Sequence, residues 1–249
     1  MDLAIFFARV RASLFGGVLT QGHVDGLGRL LDEAARIGLV DRGQLAYILA
    51  TSFHETGRRM QPVREAFASS DAAAVAALES AWKAGKLSWV KTPYWRPDAN
   101  GKSWFGRGDV QLTWEDNYRR MGILIGVDLV ADPSLALDPA ISARILFEGM
   151  LKGASGKGDF TGHALESYVS GSRRDFVGAR RVVNGTDRAE LVAGHAVAFL
   201  TALDAAGWNG KPIETAAPTE PATPEAQSVA DAVAEVRAAL DRLATIVGS

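Results

Sequence analysis

The chain has 249 residues, 47% of them hydrophobic, enough to bury one sizeable core with a small appendage. Its formal net charge of -2 argues against nucleic acid or an anionic membrane as a dominant partner. With no cysteine, disulfides, thiol nucleophiles and cysteine-bound zinc are excluded, while the redox compartment stays open. The start, Met1 to Leu19, carries Asp2, Arg9 and Arg11 among its apolar residues and lacks the basic head and unbroken apolar run of an export signal. No stretch reads as a transmembrane span, so the expectation is a protein made in the cytoplasm without an export signal of its own.

Residues 3–12 read as a short helix, broken by Gly16 and Gly17. A second helix is expected from Gln21 to about Ile37, with Val24, Leu27, Leu30, Leu31 and Ala34 inward. Asp41 is a good N-cap for a third helix running to Thr56. Leu45, Ile48, Leu49 and Phe53 recur along it at helical spacing and face a core. Glu55 follows Ile48 by one heptad and projects from the margin of that face, and Gly57 is a natural left-handed terminator. There the negative end of the helix dipole disfavours a carboxylate charge by roughly 0.3–1 kcal/mol. Partial burial acts the same way, towards a raised pKa, which suits a general acid near neutral pH. A surface Glu at a fraying helix end is the plain alternative. A second carboxylate, Glu65, follows in the irregular stretch Gln61 to Glu65, and an Ala-rich helix is expected from Asp71 to Lys83.

From Gly85 to Gly108 regular periodicity disappears, and Trp89, Tyr94, Trp95, Trp104 and Phe105 stand among Gly, Pro, Asn and Lys. Aromatics in a loop suit stacking against sugar rings, but they also pin a loop over a core, and both readings stay open. Glycines flanking Arg107 predict a tight turn with close backbone approach. Gly106-Arg107-Gly108 has no preceding strand, so a nucleotide loop is not supported, and Arg107-Gly108-Asp109 is too short to count as an adhesion motif. Gln111, Thr113 and Asn117 can share a surface that holds a water or a sugar hydroxyl, or simply cap a helix. Pro133 and Pro139 bracket a turn before a helix through Ile141, Ile145, Leu146 and Met150. Residues 152–162 are Gly-rich and read as a mobile loop. Asn184-Gly185 reads as a turn, and Asp187 with Glu190 as a capping box for a helix ending near Gly207, with Leu191, Ala198, Phe199 and Ala202 inward. His195 falls on its inner stripe as a core histidine.

The composition then shifts to Pro, Thr, Ala and Glu, a semi-extended linker over 210–225. Beyond it Val229, Val233, Val236, Leu240, Leu243 and Val247 trace the seam of a short coiled coil. Three parts are expected: a catalytic domain over 1–209, the linker, and an amphipathic helix over 226–249. Residues 226–247 are read as a site of self-association or partner docking.

The series Phe53-His54-Glu55-Thr56-Gly57, Phe105-Gly106-Arg107-Gly108, Gln111-Leu112-Thr113, Asn117-Tyr118 and Arg180 to Gly185 resembles family 19 glycoside hydrolases. The likeness covers about residues 1–208 and is closest to the phage and prophage endolysin branch of that chitinase family. It implies an all-α, lysozyme-like, two-lobed domain with a sugar-binding cleft. It also implies inverting hydrolysis of β-1,4 bonds between N-acetylated aminosugars of peptidoglycan, or of chitin, without metal or cofactor. Glu55 matches the general acid, and Glu65 is the best match for the base that activates water. The expected substrate contacts are His54, Tyr94, Trp95, Trp104, Arg107, Gln111, Thr113, Asn117, Arg181 and Asn184. Of these, the aromatics would stack on sugars and Thr113 would help hold the water. Two departures stand out. Arg58 replaces a second glycine after the acid, and it also occupies the place of a second zinc ligand, so a zinc-protease reading of His54-Glu55 fails. The Glu65 region is not the pattern of the plant chitinases. In the endolysin setting the site of action is the bacterial cell wall; a non-catalytic wall-binding or particle-structural protein is the reading from another class.

Overall fold

A computed structural model describes residues 1–212; apart from 210–212, the expected linker and last helix lie outside the described residues. The described chain is mainly helical. Helix α1 (Leu3–Ser13) is capped by Asp2, α2 (Gln21–Arg36) by Thr20, and α3 (Arg42–Glu55) by Asp41, which accepts from the N–H groups of Gly43 and Gln44. Helix α4 (Asp71–Lys83), α5 (Glu115–Ile125), α6 (Pro139–Met150) and α7 (Ala189–Ala206) follow. Two-residue strands pair antiparallel: β1 (Val63–Arg64) with β2 (Arg107–Gly108), and β3 (Val169–Ser170) with β4 (Arg173–Arg174).

Helix α3 is the axis of the molecule. The sequence indicated one apolar face, but every residue from Gly43 to Phe53 is buried, because α2, α6, α7 and β3 surround it. Most of its polar side chains are therefore satisfied internally, the Tyr47 hydroxyl excepted. Gln44 donates to the Val169 carbonyl at 2.8 Å, Thr51 to the Tyr47 carbonyl at 2.9 Å, and Ser52 to Asp109 Oδ1 at 2.8 Å. Fully buried Asp109 is a hub: Arg29 of α2 donates to both its oxygens at 2.9 and 3.0 Å, and Ser142 of α6 donates at 2.6 Å. Four segments are thus locked around one carboxylate, whose partners compensate for lost water.

Apolar burial falls into a large cluster around α3 and a small one of Ala74, Leu78, Trp95 and Phe105 under α4. Helix α7 has 18 residues and mean hydropathy 1.3, so it meets a membrane-span criterion of length and composition that the sequence reading did not credit to any stretch. It packs against α1 and α3 with Val192, Ala196, Phe199 and Leu203 buried, which makes it a core helix. Two expectations about α7 fail. Its N-cap is Arg188 in a left-handed conformation with no side-chain cap, so the Asp187/Glu190 capping box does not form, and Leu191 is exposed.

Candidate active site

Helix α3 ends at Glu55. Thr56 turns its hydroxyl back to the Ser52 carbonyl at 2.7 Å and accepts from the Met60 N–H at 3.0 Å, and Gly57 takes the left-handed turn at φ 57°. The Glu55 side chain is 17% exposed, and Arg180 Nη1 donates to its Oε1 at 2.8 Å. Arg180 is only 1% exposed and is carried on a 3-10 turn, Gly178–Val182, where its Nε donates to the Asp187 carbonyl at 2.8 Å. The neighbour that dominates Glu55 is thus a guanidinium, not the apolar margin expected from periodicity. Oε2 makes no hydrogen bond among the described residues. His54 is half-buried, and burial holds its pKa below the usual 6.5, opposed by the Glu55 charge.

Glu65 opens a 3-10 turn, Glu65–Phe67, directly after β1. The β1–β2 pairing brings it to Gly106: the Glu65 N–H donates to the Gly106 carbonyl at 2.7 Å, and the Gly106 N–H donates to Oε2 at 2.7 Å. Tyr94 donates to Oε1 at 2.8 Å, and burial together with the Glu65 charge raises the pKa of that phenol. Both carboxylate oxygens therefore have fixed donors. A Cβ on Gly106 would stand 2.9 Å from Gln111 Oε1 and 3.3 Å from Glu65 Oε2, so a side chain there would press on both groups. The two carboxylate segments meet: a Cβ on Gly57 would stand 2.7 Å from Phe67 Cζ, so the ring after Glu65 lies against the turn after Glu55.

Gln111 donates to the carbonyls of Val63 (3.0 Å) and Gly108 (3.2 Å), Thr113 to the Gln111 carbonyl at 2.8 Å, and Asn117 to the Thr113 carbonyl at 2.7 Å. The three form a chain rather than three free ligands. With its proton committed, the Thr113 oxygen is left as an acceptor. Seven non-glycine residues have left-handed φ: Arg58, Met60, Ala66, Phe67, Gln111, Trp114 and Arg188. The first six follow Glu55, follow Glu65 or flank Thr113. At about 1–3 kcal/mol each, such strain persists only where the surrounding structure fixes it, and it is typical of functional sites.

Three expected contacts are corrected. Trp95 is fully buried in the small cluster with its indole N–H on Glu79, because α4 closes over it. Trp104 is 7% exposed, donates to Asp98 and packs edge-on against Tyr118. Arg107 is 2% exposed; it bridges Asp71 (2.7 Å), the Ser103 carbonyl and Tyr118, with its guanidinium 3.7 Å from the Phe105 ring centroid. These side chains brace the loop instead of standing free in it. Tyr94 is half-buried and serves Glu65. Arg181 and Asn184 are exposed on and just after the turn that carries Arg180. The residues missed were Arg180, whose signal was no stronger than that of Arg181, and Trp114, which adjoins Thr113. Among the described residues no three His, Asp or Glu side chains are grouped as metal ligands.

The family model described as chitinase class I, glycoside hydrolase family 19, matches residues 41–157. Those residues are similar to a chitinase class I domain. Endochitinase 1 of Theobroma cacao is 54% identical over 52 residues, 20% of this chain and 16% of that protein. Inactive chitinase-like protein 1 of Hevea brasiliensis is 47% identical over 49 residues, 19% of this chain and 16% of that protein. The chain thus spans less than a fifth of the curated relatives it matches. The solved structure of chitinase C from Streptomyces griseus HUT6037 aligns with TM-score 0.47 at 17% identity, covering 84% of this chain and 77% of that one. The matched chitinase class I stretch includes Glu55, Glu65, Gln111, Thr113 and Asn117, whereas Arg180 lies beyond it.

Proposed function

We propose that the chain is a glycoside hydrolase that cleaves β-1,4 bonds between N-acetylated aminosugars of peptidoglycan with inversion, acting at the bacterial cell wall. The observation that carries the reading is the unlike handling of two carboxylates in one strained region. Glu65 has both oxygens held in place, by the Tyr94 hydroxyl and the Gly106 N–H, as suits a fixed acceptor. Glu55 keeps Oε2 free of hydrogen bonds for a proton while Arg180 orients Oε1. In the reaction, Glu55 gives its proton to the glycosidic oxygen as the bond from that oxygen to the anomeric carbon breaks. Glu65 takes a proton from the attacking water, whose oxygen bonds to the anomeric carbon from the opposite face. The water keeps its second hydrogen, which becomes that of the new anomeric hydroxyl and is hydrogen-bonded to the Thr113 oxygen, whose own proton faces Gln111. When catalysis ends, Arg180 offsets the negative charge left on Glu55.

Support for peptidoglycan comes from charge as well as from the endolysin resemblance. Arg58, Arg59, Arg181 and Arg188 are exposed and join no ion pair among the described residues. Arg188 is close enough to bear on His54, beside Glu55. Peptidoglycan carries carboxylates on its peptides, whereas chitin carries none, so a basic rim favours the former. Chitin is the second reading, favoured by the endochitinase name of a relative. Glu55→Gln, an isosteric change, is expected to abolish release of reducing ends from peptidoglycan, by about a thousandfold or more, with glycan binding kept. Reducing-end analysis of walls and of chitin with the wild-type protein decides the substrate. Release from neither would end the hydrolase reading.

A further inference from the structure

We propose that Trp114 and Phe67 are the platforms on which sugar rings stack on either side of the carboxylate pair; this rests on the glycan-cleaving reading. With Trp95 and Trp104 buried, the region needs other flat apolar surfaces. The exposed aromatics among the described residues include Trp89, Trp114 at 44% and Phe67 at 50%. Trp89 makes no ring-to-ring contact with the site. Phe67 lies against Gly57, two residues past Glu55, with the Arg59 guanidinium 4.2 Å from its ring centroid. Trp114 packs at 4.8 Å against Tyr94, the residue that holds Glu65. One platform thus borders each carboxylate segment.

Backbone geometry separates these two rings from incidental surface aromatics. Trp114 has φ 73° and Phe67 φ 53°, which a bulky side chain rarely adopts. Neither conformation serves helix capping: Trp114 stands at the N-cap of α5 without a side-chain cap. Its backbone is nonetheless fixed, donating to the Trp104 carbonyl at 2.9 Å and accepting from the N–H groups of Asn117 and Tyr118. The ring is therefore aimed outward by a frame that the loop and α5 both hold. The contacts with Tyr94 and Gly57 still leave Trp114 and Phe67 44% and 50% exposed on a strained backbone. The apolar face of a pyranose would cover that open area.

Glycine adopts both φ values freely, so substitution can separate stability from binding. On a Glu55→Gln background, which prevents turnover, binding of the N-acetylglucosamine tetramer is measured by calorimetry. Trp114→Gly and Phe67→Gly are each expected to raise Kd at least tenfold while Tm is kept or raised, and Trp114→Phe to restore most of the affinity. Unchanged Kd in both glycine variants would overturn the proposal. Should Trp114→Gly unfold, Trp114→Leu decides: it keeps apolar cover over Tyr94 without a flat face, so weak binding supports stacking and wild-type binding refutes it. In the Glu55 enzyme, hydrolysis with KM unaffected by Trp114→Gly removes the platforms and leaves the hydrolase. Tetramer binding that depends on Trp114 without any hydrolysis does the reverse.

Discussion

Glu55 and Glu65 stand ten residues apart in the chain, yet the molecule secures them by different means. Glu65 is held locally, by a strand pair, one backbone N–H and a tyrosine from the adjoining loop. Glu55 is held by a single guanidinium that arrives from 125 residues further along, on an isolated 3-10 turn. A group with two fixed donors has one position, which suits a fixed acceptor. A group with one partner keeps its aim and leaves one oxygen open to a substrate. The difference separates the roles that two chemically identical side chains have in the proposed reaction.

That contrast can be broken most forcefully at Arg180. Arg180→Ala leaves Glu55 partly buried and unpaired, so about 3 kcal/mol of stability should be lost in urea unfolding, together with most of the activity. If stability and rate are both unchanged, the ion pair is not what positions Glu55. Tyr94→Phe probes the other side and should be milder. It removes one of two donors to Glu65, worth about 1.5–3 kcal/mol as a hydrogen bond to a charged group. Tm should fall by a few degrees and kcat/KM by about tenfold, with the backbone N–H of Gly106 still in place; a loss equal to that of Glu65→Gln would mean that Tyr94 itself does chemistry. The smallest effect concerns pH. Burial holds His54 and His195 below 6.5, so the folded state prefers them neutral. Their contribution is complete above pH 6.5 and is lost as pH falls from there through the lower folded values. His195→Gln should flatten part of that decline in urea midpoints without moving the activity at pH 7.

Helix caps and left-handed glycines gave most of the helical frame directly: Asp41, Gly57, Pro139 and Gly207 mark boundaries that the structure keeps. Glu55 was legible because a polar residue at the end of an apolar helix stands out against its period. The loop was not. Without periodicity, nothing local distinguishes a tryptophan aimed at solvent from one that α4 will cover, and Trp95 and Trp104 went the second way. Arg107 was misread for the same reason, since its partners Asp71 and Tyr118 lie 36 and 11 residues away. Arg180 and Arg181 are neighbours, and which of them turns inward is decided by where α7 docks on α3.

The hub at Asp109 has a consequence for synthesis. Its partners are Arg29, Ser52 and Ser142, so the frame of the site cannot close until residue 142 has been made, and Glu55 waits for Arg180. A nascent or shortened chain ending before that turn holds both acidic side chains but lacks the cation that aims one of them. Catalytic competence should therefore switch on late, as one of the last long-range closures in a fold whose helices form early.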